Sequence, residues 1–305
     1  MISYGRRQLI DALRAIGLGR GDVIYVHSQL FGLGPMTEAR DRQALPSIVA
    51  SSIFEVLGDE GTLVVPTFTT QTAKNGEAFV LEETPGITGL LSEHVRTMSG
   101  AKRSLHPINS VAAMGPLAES ICSTAGRSNY GLGSPYDLML KLGAKAVNLG
   151  LKRLSNSWHH CVEAQYGVPY LYNKLLDIPV FANDQRVEGP FFASLRYLDF
   201  DIAYDTSRFD EILVKSGQVR TSRLGTGWIS SVGSREYFDL GLELLCKDPY
   251  FFLKNPPKFR LGTIPFDGST GARDQDIRRK DIEAAAQRKP VLDGNPSAAI
   301  GSVSS

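Results

Sequence analysis

His160 and Glu163 stand three residues apart in the segment Ser155-Asn156-Ser157-Trp158-His159-His160-Cys161-Val162-Glu163. On a helix that spacing places an imidazole and a carboxylate on one face. A carboxylate beside an imidazole fixes its tautomer and supports its protonated form, which a general base requires. The plain alternative is a helix start whose His160 and Glu163 form an ordinary surface pair. His159 lies about a quarter-turn round the helix and is not expected to share that face. A metal reading with His159, His160 and Glu163 as ligands is weaker, because adjacent histidines on a helix diverge and no further His or Cys has a supportive spacing. No metal is expected. Cys161 reads as a small helix residue, not as a nucleophile.

A second group is Arg103-Ser104-Leu105-His106-Pro107-Ile108-Asn109-Ser110-Val111-Ala112-Ala113. A guanidinium with small hydroxyl residues suits a phosphate-bearing ligand, and the small run from Ser110 to Ala113 would let backbone approach a narrow ligand arm. The same composition also describes a loop running into a small-residue strand. Gly131-Leu132-Gly133-Ser134-Pro135 lacks a third glycine and follows no strand, so it reads as a turn and helix cap and not as a dinucleotide fingerprint.

The elements that must position these groups follow from periodicity. Leu9, Ile10, Leu13 and Ile16 recur at helical spacing, and Gly17 and Gly19 stop that helix. Val23-Ile24-Tyr25-Val26, Leu63-Val64-Val65 and Ala146–Leu151 are apolar runs of the kind buried in a sheet. Helices are predicted over about Gln43–Leu57, from Thr84-Pro85-Gly86-Ile87-Thr88 to Met98, and over Pro135–Leu142 with Ser134 as cap. The alternation favours a layered α/β fold, a sheet flanked by helices. Beyond residue 175 the pattern changes. Arg186–Phe192 and Ser194–Ile202 look antiparallel, with helices near Arg208–Lys215 and Ser234–Cys246, so a mixed or antiparallel C-terminal part is added. The polar strand exits at His27-Ser28, at Thr67–Thr69 and after Leu151 are where ligands collect in such folds.

The chain has 305 residues, 42% hydrophobic and 21% charged, with 33 Lys and Arg against 32 Asp and Glu. A net charge of +1 gives no electrostatic reason to expect nucleic acid or an anionic membrane as partner. No apolar run reaches the ~20 residues that span a bilayer, and a signal peptide is not expected. Three widely spaced cysteines fit a reducing cytoplasm better than a disulfide scaffold. Residues 1–267 read as a single domain with two lobes, and 268–305 as a polar tail, extended or disordered unless it wraps a partner.

Several blocks taken in order are similar to a known family. Val26-His27-Ser28, Gly61–Thr69, Arg103-Ser104-Leu105-His106-Pro107 with Ser110-Val111-Ala112-Ala113, Gly133-Ser134-Pro135, and Asn156 with His160-x-x-Glu163 together resemble the aminoglycoside 3-N-acetyltransferases, which are distinct from the GNAT acetyltransferases. The resemblance spans about residues 5 to 250. It implies transfer of an acetyl or other acyl group from coenzyme A to an amine, without a metal. It also implies His160 as base with Glu163 orienting it, and Ser28, Arg103, Ser104, His106, Ser110 and Val111 along the coenzyme A arm. Thr67, Asn156 and Tyr166 are expected near the acceptor, and a homo-oligomer is open.

Gln29 departs from the second serine that family members often carry there. The neutral overall charge and the aromatic segments Tyr166–Tyr172 and Pro249–Leu253 look more like members of biosynthetic context. An amino sugar is therefore the expected acceptor, with aminoglycoside resistance as one alternative and a non-catalytic coenzyme A-binding protein as another.

Overall fold

Val23-Ile24-Tyr25-Val26 is apolar at four successive positions, and each alternate side chain finds a different helical layer. The computed structural model describes residues 2–70, 77–151, 154, 156–197 and 200–259. In chain order its first elements are α1 (Arg6–Ala15), β1 (Val23–Ser28), α2 (Ala44–Leu57), β2 (Thr62–Pro66), β3 (Phe79–Val80) and α3 (Leu90–Arg96). There follow β4 (Lys102–Arg103), β5 (Val111–Met114), α4 (Ala118–Cys122), α5 (Pro135–Lys141), β6 (Lys145–Leu149) and α6 (Trp158–Tyr166). The C-terminal elements are β7 (Leu171–Leu176), β8 (Val180–Ala182), β9 (Gln185–Arg186), β10 (Phe191–Arg196), α7 (Ser207–Lys215), β11 (Arg220–Leu224), β12 (Gly227–Gly233) and α8 (Ser234–Lys247).

The main sheet has seven strands in the order β11-β12-β6-β1-β2-β5-β4. Its centre is parallel: β1 pairs with β2 through Tyr25 and Val64, and with β6 through Val26 and Val147. Successive strand residues point to opposite faces. Ile24, Val26, Leu63, Val65, Val147 and Leu149 therefore bury against α1, α2 and α3, while Val23, Tyr25, Val64 and Ala146 bury against α4 to α8. This is a layered α/β sandwich, and it brings the three polar strand exits to one end. A smaller cluster of Phe79, Ile108, Leu176, Val180, Phe191 and Ala193 joins the β7–β10 pair and the β3-β8-β9 sheet to that end.

Local sequence explains most boundaries. Gly17, at φ 82°, lets its N–H bond Arg14 and the Leu18 N–H bond Leu13, the paired closure that ends a helix. Ser134 accepts from the Asp137 N–H, with Pro135 in the first turn. The helix expected from Thr84 begins only at Leu90. Before it, Thr84 accepts the Val80 N–H, Gly86 bonds Glu93, and Ile87 bonds the Phe68 carbonyl. The last of these, with the Thr88 hydroxyl donating to the Pro66 carbonyl, ties residues 84–89 to the exit of β2.

The antiparallel readings are separate strands. β9 ends at Arg186 and β10 begins at Phe191, pairing with β7 rather than with its neighbour in sequence. The β11–β12 hairpin was not foreseen, because Arg220–Arg223 is polar and lies on the sheet edge. The tail from 268 lies outside the described residues. Among the described residues no helix is long and apolar enough to cross a membrane.

Candidate active site

The helix bearing His160 is fixed at its first turn. Asn156 Oδ1 accepts the Trp158 N–H at 2.8 Å. The Ser157 hydroxyl lies 3.1 Å from Tyr25 Oη on β1, and Trp158 Nε1 donates to the Tyr136 carbonyl on α5. Gly167, left-handed at φ 78°, closes the other end on Glu163. The imidazole is thereby set at the exits of β1 and β6.

Glu163 is fully buried. It receives the Tyr170 hydroxyl at 2.6 Å on Oε1, and on Oε2 the Tyr204 hydroxyl at 3.1 Å and His160 Nδ1 at 2.8 Å. Burial alone would raise its pKa, but His159, His160 and the bonds to them hold the carboxyl well below the usual range. An ionised carboxylate only accepts, so His160 Nδ1 bears a proton, and in the neutral ring the lone pair is on Nε2. The His160 ring is partly exposed, with Tyr130 and Tyr204 at centroid distances of 5.3 and 5.6 Å. It lines a cavity of about 310 Å³ with Phe68, Thr70, Asn109, Asn129 and Arg196 among its walls.

His159 corrects an expectation. It does not leave the site: residues four apart also share a helix face, and His159 Nε2 lies 3.5 Å from Glu163 Oε1. Its buried ring packs at 4.2 Å on Phe252. Glu163 thus sits between two imidazoles. Ligand atoms of His159, His160 and Glu163 fall within 4.8 Å of one another, the one such set among the described residues that could hold a metal ion. A metal would have to displace the hydrogen bonds already on the carboxylate. Cys161 is buried, and burial pushes its thiol up to about 12, against a nucleophilic role.

The Arg103–Val111 group forms one network, with its donors turned inward. Arg103 donates to the carbonyls of Leu81, Thr84 and Thr67 and to the Ser110 hydroxyl, and its guanidinium lies 4.8 Å over Phe79. Burial and nearby Arg96 lower it to about 9, still protonated at neutral pH. Ser104 accepts the Val111 N–H, and Ser110 lies 2.9 Å from the Thr67 hydroxyl.

His106 accepts the Ile108 and Asn109 N–H groups on Nδ1 and bonds the Phe192 carbonyl through Nε2. Burial lowers it to about 4. Buried Ser104, His106 and Ser110 brace the wall behind Asn109 and Ile108, while Arg103 is half-buried and lines a cavity of about 800 Å³ with its bonded guanidinium nitrogens engaged by main chain and Ser110. Thr67 is also buried and not exposed to an acceptor, Asn156 caps α6, and half-buried Tyr166, the last residue of α6, packs on the core. Ser28 is half-buried at the exit of β1.

Sequence reasoning missed Tyr170, Tyr204, Tyr130 and Arg196. Only Tyr170, seven residues beyond Glu163, carried a local signal, as part of a tyrosine-rich run.

The sequence profile described as aminoglycoside 3-N-acetyltransferase matches residues 25–246. Aminoglycoside N(3)-acetyltransferase III of Acinetobacter baumannii is 30% identical over 205 residues, covering 60% of this chain and 68% of that protein. The apoenzyme structure of aminoglycoside acetyltransferase AAC(3)-IVa aligns with a TM-score of 0.68 at 24% identity, covering 83% of this chain and 93% of that one. AAC-IIIb, solved as a binary complex with CoASH, aligns with a TM-score of 0.67 at 22% identity over 84% of this chain and 100% of that chain. These structural likenesses give the fold, which is not that of the GNAT enzymes.

Proposed function

The chain belongs to the aminoglycoside 3-N-acetyltransferase family, and from that premise we propose that it moves an acetyl group from acetyl-coenzyme A to an amine of a small amino-sugar acceptor, with His160 as general base. The names of its relatives support aminoglycosides within that acceptor class more directly than the biosynthetic amino sugar expected from the aromatic segments. The observation that carries the reading is the His160–Glu163 pair, 2.8 Å apart, with His160 on a cavity wall and Glu163 buried behind it.

Bound acetyl-coenzyme A supplies an activated thioester carbonyl. Its narrow arm would lie along the strand exits. There a Cβ on Gly86 would stand 3.2 Å from Thr67 Cα, so glycine lets the 84–89 segment close on the exit of β2, and a Cβ on Gly89 would stand 3.8 Å from the Ser28 carbonyl. Ser28 and the backbone of 86–89 would hold the arm. Arg103 supports that role only indirectly, by fixing the Leu81–Thr84 turn.

An acceptor ammonium is not a nucleophile at neutral pH, so its proton must leave before attack. Nε2 of His160 takes that proton. Glu163, held ionised, stabilises the imidazolium that results, and Tyr170 and Tyr204 hold the carboxylate in place. No covalent enzyme intermediate is needed.

The test is thiol release from acetyl-coenzyme A by the purified chain, over a panel of aminoglycosides and amino sugars. Release should require an amine and fall by roughly 10²–10⁴-fold in His160→Ala. A chain that binds the donor but releases no thiol with any amine is a binding module, and the reading falls.

A further inference from the structure

We propose that the acceptor taken up beside His160 carries an anionic group, a carboxylate or a phosphate, that pairs with Arg196. This rests on the acetyl-transfer reading and narrows its acceptor. The cavity walls are apolar and aromatic at Phe68, Ile108, Tyr130, Leu171 and Leu195, and Arg196 lies among them. Among the described lining residues there is no carboxylate. Glu163 lies behind the imidazole, fully buried, its oxygens engaged by His160, Tyr170 and Tyr204. The amides at the wall are tied to protein as well: Asn129 Nδ2 donates to Asn109 Oδ1, and Asn129 Oδ1 accepts the N–H groups of Tyr130 and Ser194.

Among the described residues, Arg196 is held at the wall by its Nη1 bond to the Ile202 carbonyl at 2.7 Å. A guanidinium fixed in this way matches the geometry of a carboxylate or phosphate. A polycation meets the opposite situation. Its further ammonium groups would approach Arg196 with no carboxylate among the described lining residues to receive them, and a like charge so placed discriminates against the wrong ligand. One amine for His160 and one anion for Arg196 is the charge pattern this cavity complements.

The experiment compares kcat/KM for three acceptors by thiol release: glucosamine, glucosamine 6-phosphate and kanamycin. The wild type should favour the phosphate over glucosamine by at least about tenfold, mainly through KM, with kanamycin below both. Arg196→Gln should abolish the preference, and Arg196→Lys, which keeps the charge without the fork, should retain part of it. Added salt should raise KM for the phosphate acceptor more than for glucosamine. A wild type that favours kanamycin, or a preference that survives Arg196→Gln, overturns the inference while leaving acetyl transfer intact. Should Arg196→Gln fail to fold, an undiminished preference in Arg196→Lys together with indifference to salt overturns it equally. Absence of thiol release with every amine would instead remove the transfer reading, and this inference with it.

Discussion

Replacing Glu163 by glutamine isolates the charge behind the imidazole from the geometry that holds it. The carboxylate takes Tyr170 on one oxygen and His160 with Tyr204 on the other. An amide can keep its oxygen at the His160 side and turn its NH2 towards Tyr170, whose hydroxyl can rotate to accept. The frame survives and the charge is lost. A unit charge about 4 Å from the imidazolium contributes on the order of 4 kcal/mol at an effective dielectric near 20, as an upper bound. That bound corresponds to roughly 10³ in rate.

The amide dipole keeps part of this, so kcat in Glu163→Gln should fall about 10²-fold, less than in His160→Ala, with KM for the donor unchanged. Glu163→Ala is a poor substitute, since it leaves two tyrosine hydroxyls and one imidazole N–H unpaired in the interior at about 1–3 kcal/mol each. The assay is thiol release with saturating donor between pH 6 and 9, alongside thermal unfolding. Wild-type kcat in a Glu163→Gln protein of unchanged thermal midpoint would refute the claim that the carboxylate charge assists proton transfer.

Three further outcomes are expected. His159→Ala should lower stability by roughly 2–5 kcal/mol, because it empties a buried site packed on Phe252, and should reduce kcat through Glu163; a urea midpoint equal to wild type would contradict that packing. Burial holds His27 and His106 at about 4, down from 6.5, so the unfolded chain takes up protons first as pH falls. Stability is then complete above about 6.5 and declines towards 4, by about 3 kcal/mol for each histidine. Denaturant titrations at pH 7, 5.5 and 4 should show the decline, with a shallower slope in His106→Gln, and a flat profile would exclude it. Arg103→Ala should destabilise the fold before it alters donor KM, because three carbonyls lose their donor; Arg103→Lys should not rescue, since one ammonium cannot span them, and a stable Arg103→Ala with raised donor KM would return Arg103 to the donor site.

What could be read in the sequence was whatever one element decides for itself. The three-residue interval from His160 to Glu163 is a property of the helix, so the pair was legible before any tertiary contact was known. The central strands were legible for the same reason, since an unbroken apolar run needs cover on both faces. His159 was equally local, four residues from Glu163, and was misplaced only because one helical neighbour was weighed and the other was not.

Tyr204 is a different case. It reaches Glu163 across forty-one positions, and nothing in the intervening sequence marks that closure. Arg103 and His106 show the remaining limit. Their types suit a phosphate or a proton transfer, and they suit equally well a buried brace between backbone groups. What decides is whether the free partners are ligand or main chain, and here the partners are carbonyls of residues 67, 81, 84 and 192 and the N–H groups of 108 and 109. Main-chain partners have no residue type to read. A basic or titratable side chain near a strand exit is therefore evidence for a ligand only after the returning loops have been placed. Arg196 was invisible for the converse reason: it stands on an antiparallel strand with no motif around it, and only folding brings it to the cavity that His160 lines.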